Sequence, residues 1–266
     1  MSTSLQHLQH PQQQPQSPGP TGDQRFPASP HPLDNPAWAA LTGAHRHLAR
    51  IVGSAAGYPE DVSPFVALAD PADPAAWADL AALMGPGATF ALAGVPSAPD
   101  GWRSEWGAEG VQLVGTDALL DEADPEARPL ESADVPEMLD LVERTKPGPF
   151  RQRTIELGAY YGIRRDGKLV AMAGERLRLD GWTEISAVCT DDAFRGQGLA
   201  SRLVRHTAAG IRVRGDRPFL HAAASNVNAI RLYESIGFAL RRTTHFRGVR
   251  VPGGDGDAEG SGGAGE

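Results

Sequence analysis

Between Asn35 and Val52 apolar residues recur at spacings of three and four, with Trp38, Leu41, His45, Leu48 and Val52 on one face behind an Asn35-Pro36 start signal. That spacing predicts a helix. His45, on the apolar stripe, reads as a packed histidine with one hydrogen bond. Asp73-Pro74 repeats the start signal before AAWADLAALM, and ATFALAG and EGVQLVG have the length and content of short strands. Further on, Ser132 caps a predicted helix to about Thr145, and TKPGPF breaks it with two prolines and a glycine. Three strands follow, AYYGIRR, KLVAMAGERLRL and WTEISAVCT, separated by Asp166-Gly167 and Asp180-Gly181, dipeptides that favour two-residue hairpins. Leu199, Leu203, Val204, Thr207 and Ile211 then make the inward face of a helix whose end Gly215 marks. PFLHAAAS reads as a strand, NVNAIRLYESIG as a short helix and FALRRTTHFRGVRV as two strand pieces.

These patterns divide the chain. Residues 1–32 are Gln, Pro, His and Ser with almost nothing to bury, and 253–266 are rich in Gly, so both are expected to be disordered tails. Residues 34–120 are expected to form a small α/β unit, with a degenerate second copy of the C-terminal fold as one reading of it. Residues 128–251 run helix, three strands, helix, strand, helix, strands, the order of an α/β (α+β) domain with a mixed, mostly antiparallel sheet flanked by helices.

Charge and cysteine content narrow the function. The net charge is -8 over 266 residues, which argues against nucleic acid or an anionic membrane as the main partner and suits a basic or polyamine one. The single cysteine, Cys189, excludes an internal disulfide and a cysteine-rich metal site, and no metal is expected. No apolar run is long enough to span a bilayer, and the expected location is the cytoplasm.

The stretch FRGQGLASRL raises the chemical question, because it opens a helix with Gly196, Gly198 and Ala200. Small residues there let a ligand approach bare N–H groups at the positive end of the helix dipole, the arrangement that binds phosphate. Arg195-Gly196-Gln197-Gly198-Leu199-Ala200 resembles the Q/R-x-x-G-x-G/A signature of the GNAT superfamily, the acyl-CoA-dependent N-acyltransferases. About thirty residues on, Asn226, Ala229, Tyr233, Gly237 and Phe238 resemble that family's N-x-x-A-x-x-x-Y-x-x-x-G-F segment. The resemblance covers roughly 128–251 and implies acetyl-CoA as co-substrate. It also implies two splayed strands with the pantetheine arm between them. Val188, Cys189 and Thr190 would pair with the arm, the Val188 N–H would face the thioester oxygen, and Asn226 would touch the arm while capping its helix.

Moving an acyl group from a thioester to an amine needs a neutral amine, a stabilised oxyanion and a quieted thiolate. Glu184 is the first candidate base: strict alternation places it on the same strand face as Val188, four residues on, with Cys189 opposite. A solvent-facing glutamate is the alternative, with Glu175 in reserve and His221 below both. Tyr233, matching the family tyrosine, is the candidate hydrogen-bond donor to the departing thiolate. Phe150 in TKPGPFRQRT would wall an acceptor pocket, and Arg151 or Arg153 would suit an acceptor carboxylate. The resulting expectation is an N-acetyltransferase acting by direct attack on a small-molecule or peptide amine, with a homodimer admitted. A catalytically silent acyl-CoA-binding module is the alternative from another class.

Overall fold

In the computed structural model of the chain, residues 31–120 and 122–253 are described. The expected tails lie outside them, apart from His31, Pro32 and Gly253. The chain starts with helix α1 (Pro36–Thr42) and strands β1 (Arg50–Val52), β2 (Ala55–Gly57) and β3 (Phe65–Leu68). Helix α2 (Pro74–Met84) leads into β4 (Thr89–Ala93) and the long β5 (Arg103–Gly115). After β6 (Arg128–Pro129) come α3 (Val135–Thr145), β7 (Tyr160–Arg165), β8 (Lys168–Leu179) and β9 (Trp182–Thr190). Helix α4 (Leu199–Val213), β10 (Arg217–Ala223), α5 (Val227–Ser235) and β11 (Phe238–Arg250) complete it.

The strands make one mixed sheet in the order β1-β2-β3-β4-β11-β5-β10-β9-β8-β7-β6. Only β3/β4 and β9/β10 pair in parallel. Strand β5, from the N-terminal half, lies between β10 and β11, so both halves contribute to the same sheet. Helices α1 and α3 pack on one face, and α2, α4 and α5 on the other. On α4, Leu199, Leu203, Val204, Thr207 and Ile211 are buried, as the sequence periodicity predicts, and Ala208 with them.

Local chemistry sets the element ends. The Asn35 side chain accepts from the Trp38 N–H, and that of Asp73 accepts from the Ala75 N–H, each in front of a first-turn proline. The hairpin at Asp166-Gly167 has both residues at positive φ, 50° and 78°, the backbone that this dipeptide tolerates. The predicted helix from Asn35 to Val52 is cut short: α1 ends at Thr42, a 3-10 turn covers Arg46–Leu48 and the chain is already extended at Arg50. His45 stays buried, its ring Nδ1 2.9 Å from the Tyr58 hydroxyl, and burial lowers its pKa to about 4. Beyond the helix His45 is still buried and Leu48 half-buried on a chain that is no longer helical, whereas Val52, the last member of the predicted stripe, is exposed. The two predicted terminal strand pieces are one strand, β11, with a register shift between Leu240 and Arg242.

Candidate active site

Parallel pairing of β9 with β10 runs from Trp182/Arg217 to Ile185/Leu220 and then stops. Beyond it β9 stays paired with β8, out to Thr190/Ala171, and β10 with β5, out to Ala223/Gly110, so a gap opens between two otherwise bonded strands. Val188, Cys189 and Thr190 line one side of a cleft of about 710 Å3 that enters this gap. The Thr190 Oγ1 is buried there without a hydrogen-bond partner among the described residues. An orphaned donor facing a cleft is what a polar ligand arm would satisfy.

At the mouth of the gap stands the glycine turn. Gly196 and Gly198 have φ of 78° and 73°, and Gly198 is the N-cap of α4 without a side-chain cap. A Cβ built on either would meet nothing within 4 Å, so neither glycine is there to let protein pack closely. Their positive φ turns the chain sharply into α4, whose first N–H groups have no acceptor within the helix. Arg195, Gly196, Gly198, Leu199 and Ala200 line the cleft, with Arg195 also 2.6 Å from Asp192. Gln197 is exposed and is not among the cleft-lining residues. Asn226 lines the cleft and caps α5, its side chain accepting from the Ala229 N–H at 3.1 Å.

Tyr233 lines the same gap from α5. Burial, with a smaller contribution from Cys189, pushes its pKa up to about 12, so the phenol keeps its proton and can donate it in a hydrogen bond. Cys189 packs with Met138, Leu141 and Met172 under α3, and burial raises its thiol to about 11, a poor nucleophile at neutral pH.

Glu184 differs from the sequence-based expectation. Strict alternation is broken at Ala187, whose φ is 53°, and the β8/β9 register shifts between Met172/Cys189 and Gly174/Ser186. The bulge leaves Val188 packing towards α4, whereas Glu184 lies on the other face, across from Phe219. Glu184 is fully buried and does not line the cleft. Its Oε2 accepts from Arg176 Nε at 2.8 Å, and its Oε1 from Arg176 Nη2 at 2.6 Å and His221 Nδ1 at 2.7 Å. Burial alone would raise its pKa, but the Arg176 charge and these hydrogen bonds outweigh that and hold it at about 2. A carboxylate so held is a weak proton acceptor. Glu175 is also buried, bonded to Arg214 at 2.6 Å and absent from the cleft wall.

His221 does line the cleft, and its neighbours fix its tautomer. Gln112 Oε1 accepts from Arg241 at 2.8 Å and Gln112 Nε2 donates to the Leu33 carbonyl at 2.9 Å, which orients the amide. Its second N–H therefore faces His221 Nε2, 3.1 Å away, and the ring carries its proton on Nδ1, towards Glu184. A continuous chain of hydrogen bonds thus runs Arg241, Gln112, His221, Glu184, Arg176, with Gln112 and Glu184 buried. Arg241 also meets Asp34 at 2.7 Å, so the N-terminal segment ties down the site from beneath.

On the acceptor side, Lys146, Pro147, Gly148 and Pro149 form part of the wall, but Phe150 is core, its ring 5.5 Å from that of Tyr160. Arg151 and Arg153 lie outside the cleft wall, and Arg153 pairs with Glu156 and Asp61. Besides Arg195, the arginine that lines the cleft is Arg176, which sequence reading missed. Among the described residues no Asp or Glu lines the cleft, so the polyamine-like partner suggested by net charge finds no anionic wall.

A sheet parted between two parallel strands, with a glycine-opened helix at the parting, is the arrangement that the GNAT resemblance implies. A family model described as "FR47-like protein" matches residues 160–247. The chain is 30% identical over 115 residues to the [ribosomal protein bS18]-alanine N-acetyltransferase of Escherichia coli (strain K12), covering 41% of this chain and 77% of that protein. A putative acetyltransferase from the GNAT family of Novosphingobium aromaticivorans DSM 12444 superposes with a TM-score of 0.77 at 39% identity, over 85% of this chain and 100% of that one. A GCN5-related N-acetyltransferase from Kribbella flavida shares the fold at 20% identity, TM-score 0.57, over 82% and 95% of the two chains. The chain belongs to the GNAT family and is an acyltransferase.

Proposed function

We propose that the protein transfers an acetyl group from acetyl-CoA to a primary amine by direct attack in a ternary complex. The observation that carries this is the gap between β9 and β10 with the open glycine turn at its mouth. The turn's N–H groups and Arg195 would hold the pyrophosphate, and Val188, Cys189, Thr190 and Asn226 would flank the arm. The amine nitrogen attacks the thioester carbon, the C–N bond forms and the C–S bond breaks. The Val188 N–H would meet the oxygen as it gains charge, and the Tyr233 hydroxyl the departing sulfur. One proton leaves the amine and one ends on the thiol.

Proton handling differs from the sequence-based expectation. Glu184 is withheld by Arg176, and both ring nitrogens of His221 are engaged. The acceptor therefore reacts as the free amine, shedding its proton to water, and proximity supplies much of the acceleration. Glu184 is a positioning residue that holds Arg176 and His221. Initial rates of thiol release with both substrates varied test the reading: intersecting double-reciprocal lines and equimolar acetylated amine are expected. Parallel lines, or thiol without acetylated amine, would overturn it. A silent acyl-CoA-binding module would show neither product.

A further inference from the structure

The acceptor side of the cleft is built on one sheet face by strands from both halves. Pairing of Phe65 with Ala91, Ala91 with Gly248, Gly248 with Trp106 and Phe246 with Ala108 sets these residues side by side across β3, β4, β11 and β5. Phe65, Phe246 and Trp106 all line the cleft, and Ala91 and Ala108 leave a hollow between the rings. The Phe65 and Phe246 centroids are 6.4 Å apart, and Phe246 is 5.7 Å from the His221 ring. Together these residues make an apolar wall.

Arg176 stands at its edge. Its guanidinium lies 5.1 Å from the Phe65 centroid, and its side chain is only 13% exposed. Nε and one N–H of Nη2 are spent on Glu184, which leaves three of five N–H donors. No other acceptor among the described residues meets them, and the group faces the cleft. Glu184 offsets the charge from behind, on the side closed to ligand, so an incoming oxygen meets the cation first. The other charged residues in the wall are Lys146 and Arg195, both cationic.

Resting on the acetyl-transfer reading, we infer that the acceptor is a free α-amino acid with an apolar, preferably aromatic, side chain. Its carboxylate engages the remaining N–H groups of Arg176 and its side chain lies among Phe65, Phe246 and Trp106. Arg176 is then the specificity-determining residue, presented by a pair that the N-terminal half helps to bury.

The test compares L-phenylalanine, 2-phenylethylamine, which lacks the carboxylate, and a tripeptide beginning with phenylalanine, each corrected for its fraction of free amine. In the wild-type enzyme kcat/KM for the amino acid should exceed that for the amine by about tenfold or more, as expected for a charge-assisted hydrogen bond. In the double variant Arg176→Met with Glu184→Leu, which removes both partners and strands no charge, that ratio should fall towards one. Calorimetry of L-phenylalanine with the CoA-saturated wild type reads the subsite without turnover. Amines acetylated at a ratio near one, or the tripeptide used as well as the amino acid, would overturn this inference and leave the transfer reading standing. Binding of the amino acid without acetylation of any amine would uphold the subsite and overturn the transfer reading. Neither binding nor turnover would overturn both.

Discussion

Replacing Glu184 with Gln separates an anchor from a base. The substitution keeps the shape but sets an NH2 group against one of the N–H donors that now surround the carboxylate, and leaves the Arg176 charge buried without its partner. The folded pKa of about 2 lies below the ordinary 4.5, a gap that linkage converts into about 3 kcal/mol of stability at neutral pH. Because the folded pKa is the lower one, that contribution is complete above about pH 4.5 and is lost as pH falls through about 2, with about half remaining near pH 3. Urea melts of Glu184→Gln at pH 7 should therefore show a midpoint lower by about 1 M, taking an m-value of a few kcal/mol/M. The difference from the wild type should shrink as both are taken towards pH 3. Thiol release by the folded variant should fall by a similar factor across neutral and alkaline pH, since no proton acceptor has been removed. A variant as stable as the wild type, whose activity recovers as the amine deprotonates unaided, would refute this and return Glu184 to the role of base.

The glycine turn and the tyrosine give independent checks. Gly198→Val forces a β-branched residue into φ near 73° at a cost of about 1–2 kcal/mol, and calorimetry should show CoA affinity reduced by more than about tenfold, beyond what the loss in melting temperature implies. Tyr233→Phe removes a hydrogen bond made mainly in the transition state, so kcat should fall roughly tenfold while CoA affinity changes by less than about twofold. Equal losses of kcat and affinity would make Tyr233 a packing residue instead.

What the sequence discloses is local. Asp166-Gly167, the inward face of α4 and the two motifs at 195–200 and 226–238 are each written within a few residues of the feature they produce, and the two motifs both line the cleft. The rest depends on slips of register. A two-residue turn at Asp180-Gly181 counts Leu177 opposite Glu184, but an irregularity between Glu175 and Arg178 lets the Arg176 side chain reach the carboxylate. The bulge at Ala187, which carries Glu184 and Val188 to opposite faces, has no marker, because alanine rarely adopts positive φ. Gln112 reaches His221 only because β5 inserts beside β10, a pairing between residues 109 apart in sequence. The loop TKPGPF pointed to one wall of the cleft, which Thr145 to Pro149 do line, whereas Arg176, flanked by glutamate and leucine in GERLRL, reads as a solvated charge.

The central claim is that the gap between β9 and β10, with the turn at Gly196 to Gly198, receives the acyl donor. A crystal structure with CoA tests it most directly. The account predicts the pyrophosphate on the N–H groups that open α4, the pantetheine arm between Val188–Thr190 and the end of β10, and the sulfur beside the Tyr233 hydroxyl. CoA bound on any other surface, or held by side chains while the N–H groups at Gly196, Gly198 and Leu199 stay in water, would contradict it.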